Sequence, residues 1–316
     1  LPSLRIEEGL VKLPSLVSAV KKSGFTFAPE AGSEKMLKII NKNIRHQELF
    51  EGLREAYKSG WRNIKLYFMI GLPFEGEDDL EAIVGLADKA AMLKKEFSKH
   101  PANIVINVSF FIPKPHTAFQ WFGMEAEDLL RSKQEFIISK VSGRRYLKLK
   151  FHDVSMSLLE AIFARGDRAL GRVLLEAWKN GARFDAWSEW FNLGIWDKAF
   201  LECGIEKEAY LSQRKVGEAL PWEHILCGIS KDAGIDKLLA IERRADRADA
   251  PVHHVGGRHH VGAGGRADER LTFQHGDGLV VQHVAVSIHH AVLPVCGVGI
   301  ERGIRDDAEL REAFLQ

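Results

Sequence analysis

The arrangement of apolar and polar positions along the first 237 residues reads as alternating strands and helices. Leu10, Leu13, Leu16, Val17 and Val20 recur at helical spacing, with lysines following where they suit the negative end of a helix dipole. Phe25-Thr26-Phe27-Ala28 is a short strand closed by Pro29, and Gly32-Ser33 opens a helix with Met36, Leu37 and Ile40 on one side. Residues 46 to 59 predict another helix, which Gly60 terminates. Ile64 to Ile70 is nearly continuous in apolar character, as a strand covered on both faces would be, and it ends at Gly71-Leu72-Pro73. Asp78 and Glu81 stand at capping-box spacing before a long helix carrying Leu80, Ile83, Val84, Ala87, Ala91 and Leu93. Asn103 to Phe111 is a third strand, ended by Pro113 and Pro115. The pattern changes near residue 145. Tyr146 to Phe151 alternates, and helical spacing dominates beyond His152-Asp153.

Strand and helix in alternation is the order of βαβ units, which build a parallel sheet with chemistry at the carboxyl ends of its strands. The expected fold is therefore α/β with a parallel sheet, followed by a mostly helical extension. Three strands cannot close a barrel, so the sheet is either an open fragment or completed by residues outside this chain. The expected boundaries are 1–145 for the barrel portion, 146–237 for the extension and 238–316 for a tail of different composition.

Composition sets the tail apart. Of thirteen histidines, eight lie between His253 and His290, and no lysine occurs from Leu238 to Gln316. Three readings of the tail stand side by side: metal binding through paired imidazoles, a disordered extension, and a segment foreign to the fold, such as out-of-frame translation. Over the whole chain, 44 basic residues against 43 acidic ones leave no electrostatic footprint for nucleic acid or an anionic membrane. The three cysteines, Cys203, Cys227 and Cys296, form neither a disulfide framework nor a CxxC metal knuckle, which fits a cytoplasmic setting. No run of about 18 apolar residues suggests a membrane span, and the absent initial Met suggests a start inside a longer protein.

The strand ends hold the candidate chemistry. Glu30, before Gly32-Ser33, suits ribose hydroxyls, and Ser33 with helix amides suits a carboxylate or phosphate; an N-terminal helix cap with favourable dipole placement explains the same residues. Gly71 permits close backbone approach to a ligand or simply ends a strand, and Glu75 reads as a solvated loop carboxylate. Phe110, Phe111 and Ile112 suit an adenine ring or a barrel core. His152 and Asp153 are candidates for proton exchange with a substrate. Arg165 and Arg168 are candidates for gripping an anionic group, and a buried ion-pair cluster explains the same four residues.

Taken together, Phe25-Thr26-Phe27-Ala28-Pro29-Glu30-Ala31-Gly32-Ser33-Glu34, Ile64 to Pro73 and Phe111-Ile112-Pro113-Lys114-Pro115-His116-Thr117 closely resemble the later half of a radical S-adenosylmethionine domain. The closest likeness is to the B12-binding radical SAM group of uncharacterised bacterial proteins. It extends through Arg165-Gly166-Asp167-Arg168, Gly181 to Trp187 and Leu220-Pro221-Trp222, and stops near Lys231. The resemblance implies a partial TIM-type (βα) barrel of six βα units, a [4Fe–4S] cluster, cobalamin, and reductive cleavage of S-adenosylmethionine for methyl transfer or rearrangement on an unknown substrate. It identifies Leu1 to Arg5 with the end of the third barrel strand. It matches Glu30 and Ser33 to a ribose motif, Gly71 to a glycine motif with Tyr67 facing inward, and Phe111 and Ile112 to adenine contacts. The CxxxCxxC loop that holds the cluster and a DxHxxG cobalamin loop are not in this sequence. The chain is thus expected to be a fragment of such an enzyme, inactive alone. The alternatives are a non-catalytic binding or assembly scaffold, and metal binding by the histidine tail.

Overall fold

The computed structural model describes residues 24–228 and 230–249. The helix expected between Leu10 and Val20, the strand end at Leu1 to Arg5, Cys296 and the eight clustered histidines lie outside the described residues.

Four strands, β1 (Phe25–Glu30), β2 (Asn63–Ile70), β3 (Asn103–Phe110) and β4 (Leu147–Phe151), form one sheet in the order β1-β2-β3-β4, with every pair parallel. Each crossover carries helix: α1 (Glu34–Ile39) and α2 (His46–Lys58), then α3 (Glu77–Leu93), then α4 (Glu127–Val141). Strands that are neighbours both in sequence and in space are the arrangement of a partial (βα) barrel. Beyond the sheet come α5 (Val154–Ala164), α6 (Leu170–Lys179), α7 (Leu193–Cys203), α8 (Glu208–Leu211) and α9 (Lys231–Asp249).

The two faces of the sheet differ. Phe25 and Phe27, Ile64, Leu66, Phe68 and Ile70, then Ile104, Ile106, Val108 and Phe110, alternate along their strands and share one buried core with Leu49 and Leu53 of α2, Ile83 and Ala87 of α3, and Leu130 and Ile137 of α4. Full burial of each such side chain contributes about 1.5–3 kcal/mol, so this layer dominates the stability of the α/β part. The opposite face carries Lys65, Tyr67, Val105, Asn107, Ser109, Lys148 and Lys150, all exposed or half-buried. β2 is thus covered fully on one face only, where its apolar run suggests two covered faces.

Two boundaries shift. β4 hydrogen-bonds in register with β3, so the sheet continues past residue 145. The composition break at residue 238 is not a structural break, because α9 runs through it. Leu238 of α9 packs with Trp121, Leu220 and Trp222, and Ile241 and Ala245 join a core with Met36, Ile39, Met69 and Phe111. The Cβ of an alanine at Gly234 would stand 3.1 Å from the Trp121 ring, so the start of α9 lies directly against that indole. Capping also differs in detail. The N-terminus of α3 is closed by Asp79, which accepts from the Gly76 N–H at 2.9 Å, rather than by the Asp78 and Glu81 pair. Gly60, at φ 84°, does end α2 as its position suggests. Among the described residues no helix is long and apolar enough to cross a membrane.

Candidate functional site at the strand ends

Left-handed backbone collects where the strands end. Glu30 (φ 72°) closes β1, Gly71 (80°) and Phe74 (68°) follow β2, and His116 (59°) follows β3. For residues with a Cβ this conformation costs about 1 kcal/mol or more and persists where the surroundings over-determine it. The exits of three adjacent strands are therefore held in fixed shapes at one rim of the sheet.

The rim is cross-linked. Ser33 caps α1 by accepting from the Met36 N–H at 3.1 Å, and its hydroxyl donates to Asp79 Oδ1 at 2.6 Å. Lys35 adds an ion pair to Asp79 at 3.1 Å. A Cβ on Gly32 would fall 2.2 Å from the Ile83 backbone nitrogen, so the β1 exit can press against α3 only because this residue is glycine. The Ser33 hydroxyl, a candidate for holding a ligand anion, is thus already engaged in joining the β1 exit to α3.

Glu30 is 8% exposed, and Lys42 holds its Oε1 at 3.2 Å. Burial raises its carboxyl above the ordinary range, while the Lys42 ammonium opposes that shift. Its Oε2 receives no hydrogen bond among the described residues, leaving an acceptor at the end of β1. Phe111 and Ile112 are buried, and Phe111 meets Phe119 edge to face with ring centroids 5.3 Å apart. Tyr67 lies half-buried on the open face of the sheet, opposite the core shared with the helices.

Gly71 is bound by protein, and Glu75 is buried where a solvated carboxylate was expected. The Glu75 side chain is 3% exposed and accepts from the Gly71 N–H at 2.8 Å and from Lys133 Nζ at 2.9 Å. Lys133 also bonds Glu125 Oε1 at 2.6 Å, while Glu125 Oε2 is buried without a donor. Burial pushes the Glu75 carboxyl up to about 7, against the opposing pull of the Lys133 ammonium and the Gly71 N–H, with the nearby Glu125 adding a small further rise. Burial also works against the Lys133 ammonium, but Glu75 and Glu125 outweigh it and its pKa is raised. An open cleft of about 420 Å³ lies over this group, lined by residues 71–75, 122–125 and 211–213. Sequence reasoning missed Lys133 and Glu125, which come from the β3–β4 crossover. The only local signal was Glu75 itself, two residues after a strand-ending Gly-Leu-Pro.

The second constellation does not come together as a site. His152 is exposed, and its backbone extends the ladder to Val108. Asp153 caps α5, accepting from the Met156 N–H at 2.9 Å. Arg168 is exposed. Arg165 is fully buried, but it has no carboxylate partner among the described residues, so neither an anion grip nor an ion-pair cluster describes it. Its guanidinium donates instead to the carbonyls of Tyr210 (2.7 Å), Ser212 (2.6 Å), Phe122 (2.5 Å) and Gln120 (3.3 Å). This clasp ties the segment after β3 to the segment after α8. Arg165 is the cationic core of that junction, and burial lowers its pKa to about 10.

Cys203 is half-buried and Cys227 exposed. Among the described residues no three His, Cys, Asp or Glu side chains converge as metal ligands. The described residues therefore do not by themselves supply the ligands of an iron–sulfur cluster.

No protein-family model matches this chain. It is similar to an uncharacterised protein of Methanocaldococcus jannaschii, 35% identical over 159 residues, which cover 50% of this chain and 34% of that relative. The chain thus matches about a third of the relative's length.

Proposed function

We propose that the strand-end rim is part of the S-adenosylmethionine mouth of a radical SAM enzyme, and that this chain supplies the adenosine-holding side of it. The observation that carries the reading is Glu30: a buried carboxylate in left-handed backbone at the end of β1, with one oxygen bound to Lys42 and the other receiving no hydrogen bond among the described residues. The fit to the adenosine part is partial. Glu30 Oε2 can accept from ribose hydroxyls, whereas Phe111 and Ile112 are buried in two separate core clusters, so the adenine contact rests on the resemblance alone. Tyr67 adds a phenol on the open face of the sheet. Ser33 and Gly71 act as structure, the first joining the β1 exit to α3 and the second shaping the β2 exit. In the enzymes this chain resembles, the bound cofactor supplies a carbon radical for methyl transfer or rearrangement, which needs a cluster held by other residues. The part assigned to this chain is to bind and orient the nucleoside through Glu30, whose other oxygen Lys42 holds.

S-Adenosylhomocysteine, which needs no cluster for contact with the nucleoside side, tests this. Titrated into the 316-residue chain, it should bind, and Glu30→Gln should weaken binding by about 1–3 kcal/mol, the usual loss for a charge-assisted hydrogen bond. Equal affinity of the two proteins would return Glu30 to a role in stabilising the rim with Lys42.

A second reading, a binding or assembly scaffold, draws on a different observation. Phe184 (71% exposed) and Trp190 (63%) form an aromatic pair on the connection between α6 and α7, with centroids 6.4 Å apart. Exposed aromatic groups of this kind are enriched at protein contacts.

A further inference from the structure

The open face of the sheet carries more positive charge than a solvated surface requires. Lys65, Lys148 and Lys150 are all exposed there, and none has an acidic partner or a hydrogen bond among the described residues. The strand register fixes their arrangement. Lys65 stands in one row with Val105 and Lys148, and Tyr67 stands in the next with Asn107 and Lys150. With strands about 4.8 Å apart and residues about 3.3 Å apart along them, Lys65 and Lys148 are about 10 Å apart and Lys148 and Lys150 about 7 Å apart at their backbones. Flexible side chains about 6 Å long can bring all three ammonium groups to one small molecule.

Edge protection accounts for only part of this. Lysines on an edge strand discourage sheet-to-sheet pairing, and β4 is an edge of this sheet, which explains Lys148 and Lys150. Lys65, however, lies on β2, an interior strand paired on both sides. Parallel sheets are normally covered on both faces, and a charge on an interior strand there is uncommon. Tyr67, Asn107 and Ser109 add half-buried hydroxyl and amide groups between and above the lysines. The combination is three mobile cations around a floor of neutral hydrogen-bonding groups, and no acid among the described residues pairs with it.

We propose that this face binds a small molecule bearing two or more anionic oxygen groups, phosphate or carboxylate, through Lys65, Lys148 and Lys150, with Tyr67 and Asn107 orienting it. The assignment deepens the reading of the preceding section by giving the substrate class of the same open face, and it rests on that reading only for the word substrate. The binding claim stands on the lysines alone.

Calorimetric titration of the 316-residue chain with inorganic tripolyphosphate and, separately, with citrate reads it directly. Saturable one-to-one binding that weakens as salt rises is expected, with the stronger of the two ligands showing whether phosphate or carboxylate is preferred. Lys65→Gln should weaken binding at least threefold and the combined Lys65→Gln, Lys148→Gln, Lys150→Gln protein at least tenfold, while Lys99→Gln, on an exposed loop, should bind as the parent does. Amine acetylation of the unsubstituted chain offers a second readout, in which saturating ligand should protect these three lysines selectively. Absence of saturable binding, equal affinity in the triple variant or unselective protection would overturn the proposal. Tighter binding of a single-stranded oligonucleotide through the same lysines would also overturn it, in favour of a polymer site. None of these readouts involves S-adenosylhomocysteine, so failure at Glu30 and failure at the lysines are separately visible.

Discussion

Two buried cations, Lys133 under the strand-end rim and Arg165 in the helical extension, solve the same problem in different ways. Arg165 donates only to backbone carbonyls, which are neutral and cannot be titrated, so its clasp is insensitive to pH over the ordinary range. Lys133 sits between two carboxylates, and its group holds a proton whose release falls near neutrality. A cation closed by dipoles is a fastening. A cation shared by two acids leaves one acid poised to change charge beside the cleft. The difference separates the part of the molecule built for permanence from the part whose electrostatics respond to conditions.

The sharpest way to break this comparison is Arg165→Ala. It removes every donor from four carbonyls and opens a cavity, and a loss of about 4 kcal/mol of unfolding free energy is expected by urea denaturation. A loss under about 1 kcal/mol would show that the junction does not depend on the clasp. The Lys133 group is sharpened by Glu75→Gln. Glu75 has a folded pKa of about 7, above its ordinary value, so the folded state holds the proton more tightly than the unfolded chain. Its contribution is fully present below about pH 4.5 and is lost as pH rises through about 7, a change of about 3 kcal/mol. Stability measured from pH 4.5 to 8 should therefore fall less steeply in Glu75→Gln than in the parent, and parallel curves would mean that Glu75 does not carry the proton. The smallest effect belongs to Asp153→Ala, which should cost about 1 kcal/mol by thermal unfolding, as loss of an N-cap does. A change in ligand affinity at constant stability would instead restore Asp153 to a role in binding.

Legibility from sequence followed the range of the interactions. The strands Phe25–Glu30, Asn63–Ile70 and Asn103–Phe110 and the helices between them were readable, because a period of 2 or 3.6 is a local property and turn residues such as Gly60 and Pro113 punctuate it. The places where chemistry collects were readable too, since a parallel sheet puts strand ends on one rim. The roles of the residues there were not. Glu75 looked solvated because nothing near it in sequence announces Lys133, 58 positions later. Ser33 was legible as a helix cap, but not as a tie to α3, because its acceptor, Asp79, comes from another crossover. Arg165 looked like an anion grip or a member of a buried ion-pair cluster, because carbonyl partners leave no mark in a sequence.

Local pattern and composition thus specified the α/β class, the order of elements and the rim that carries Glu30. They also drew a line at residue 238 that the packing of α9 crosses, since a helix answers to its buried stripe of Leu238, Ile241 and Ala245 and not to the lysine content around it. Which polar groups are buried, which are paired, and which of two sheet faces stays open depend on segments brought together from 40 to 60 residues apart. Those contacts exist only in the folded chain, because burial is a property of the surroundings and not of the residue.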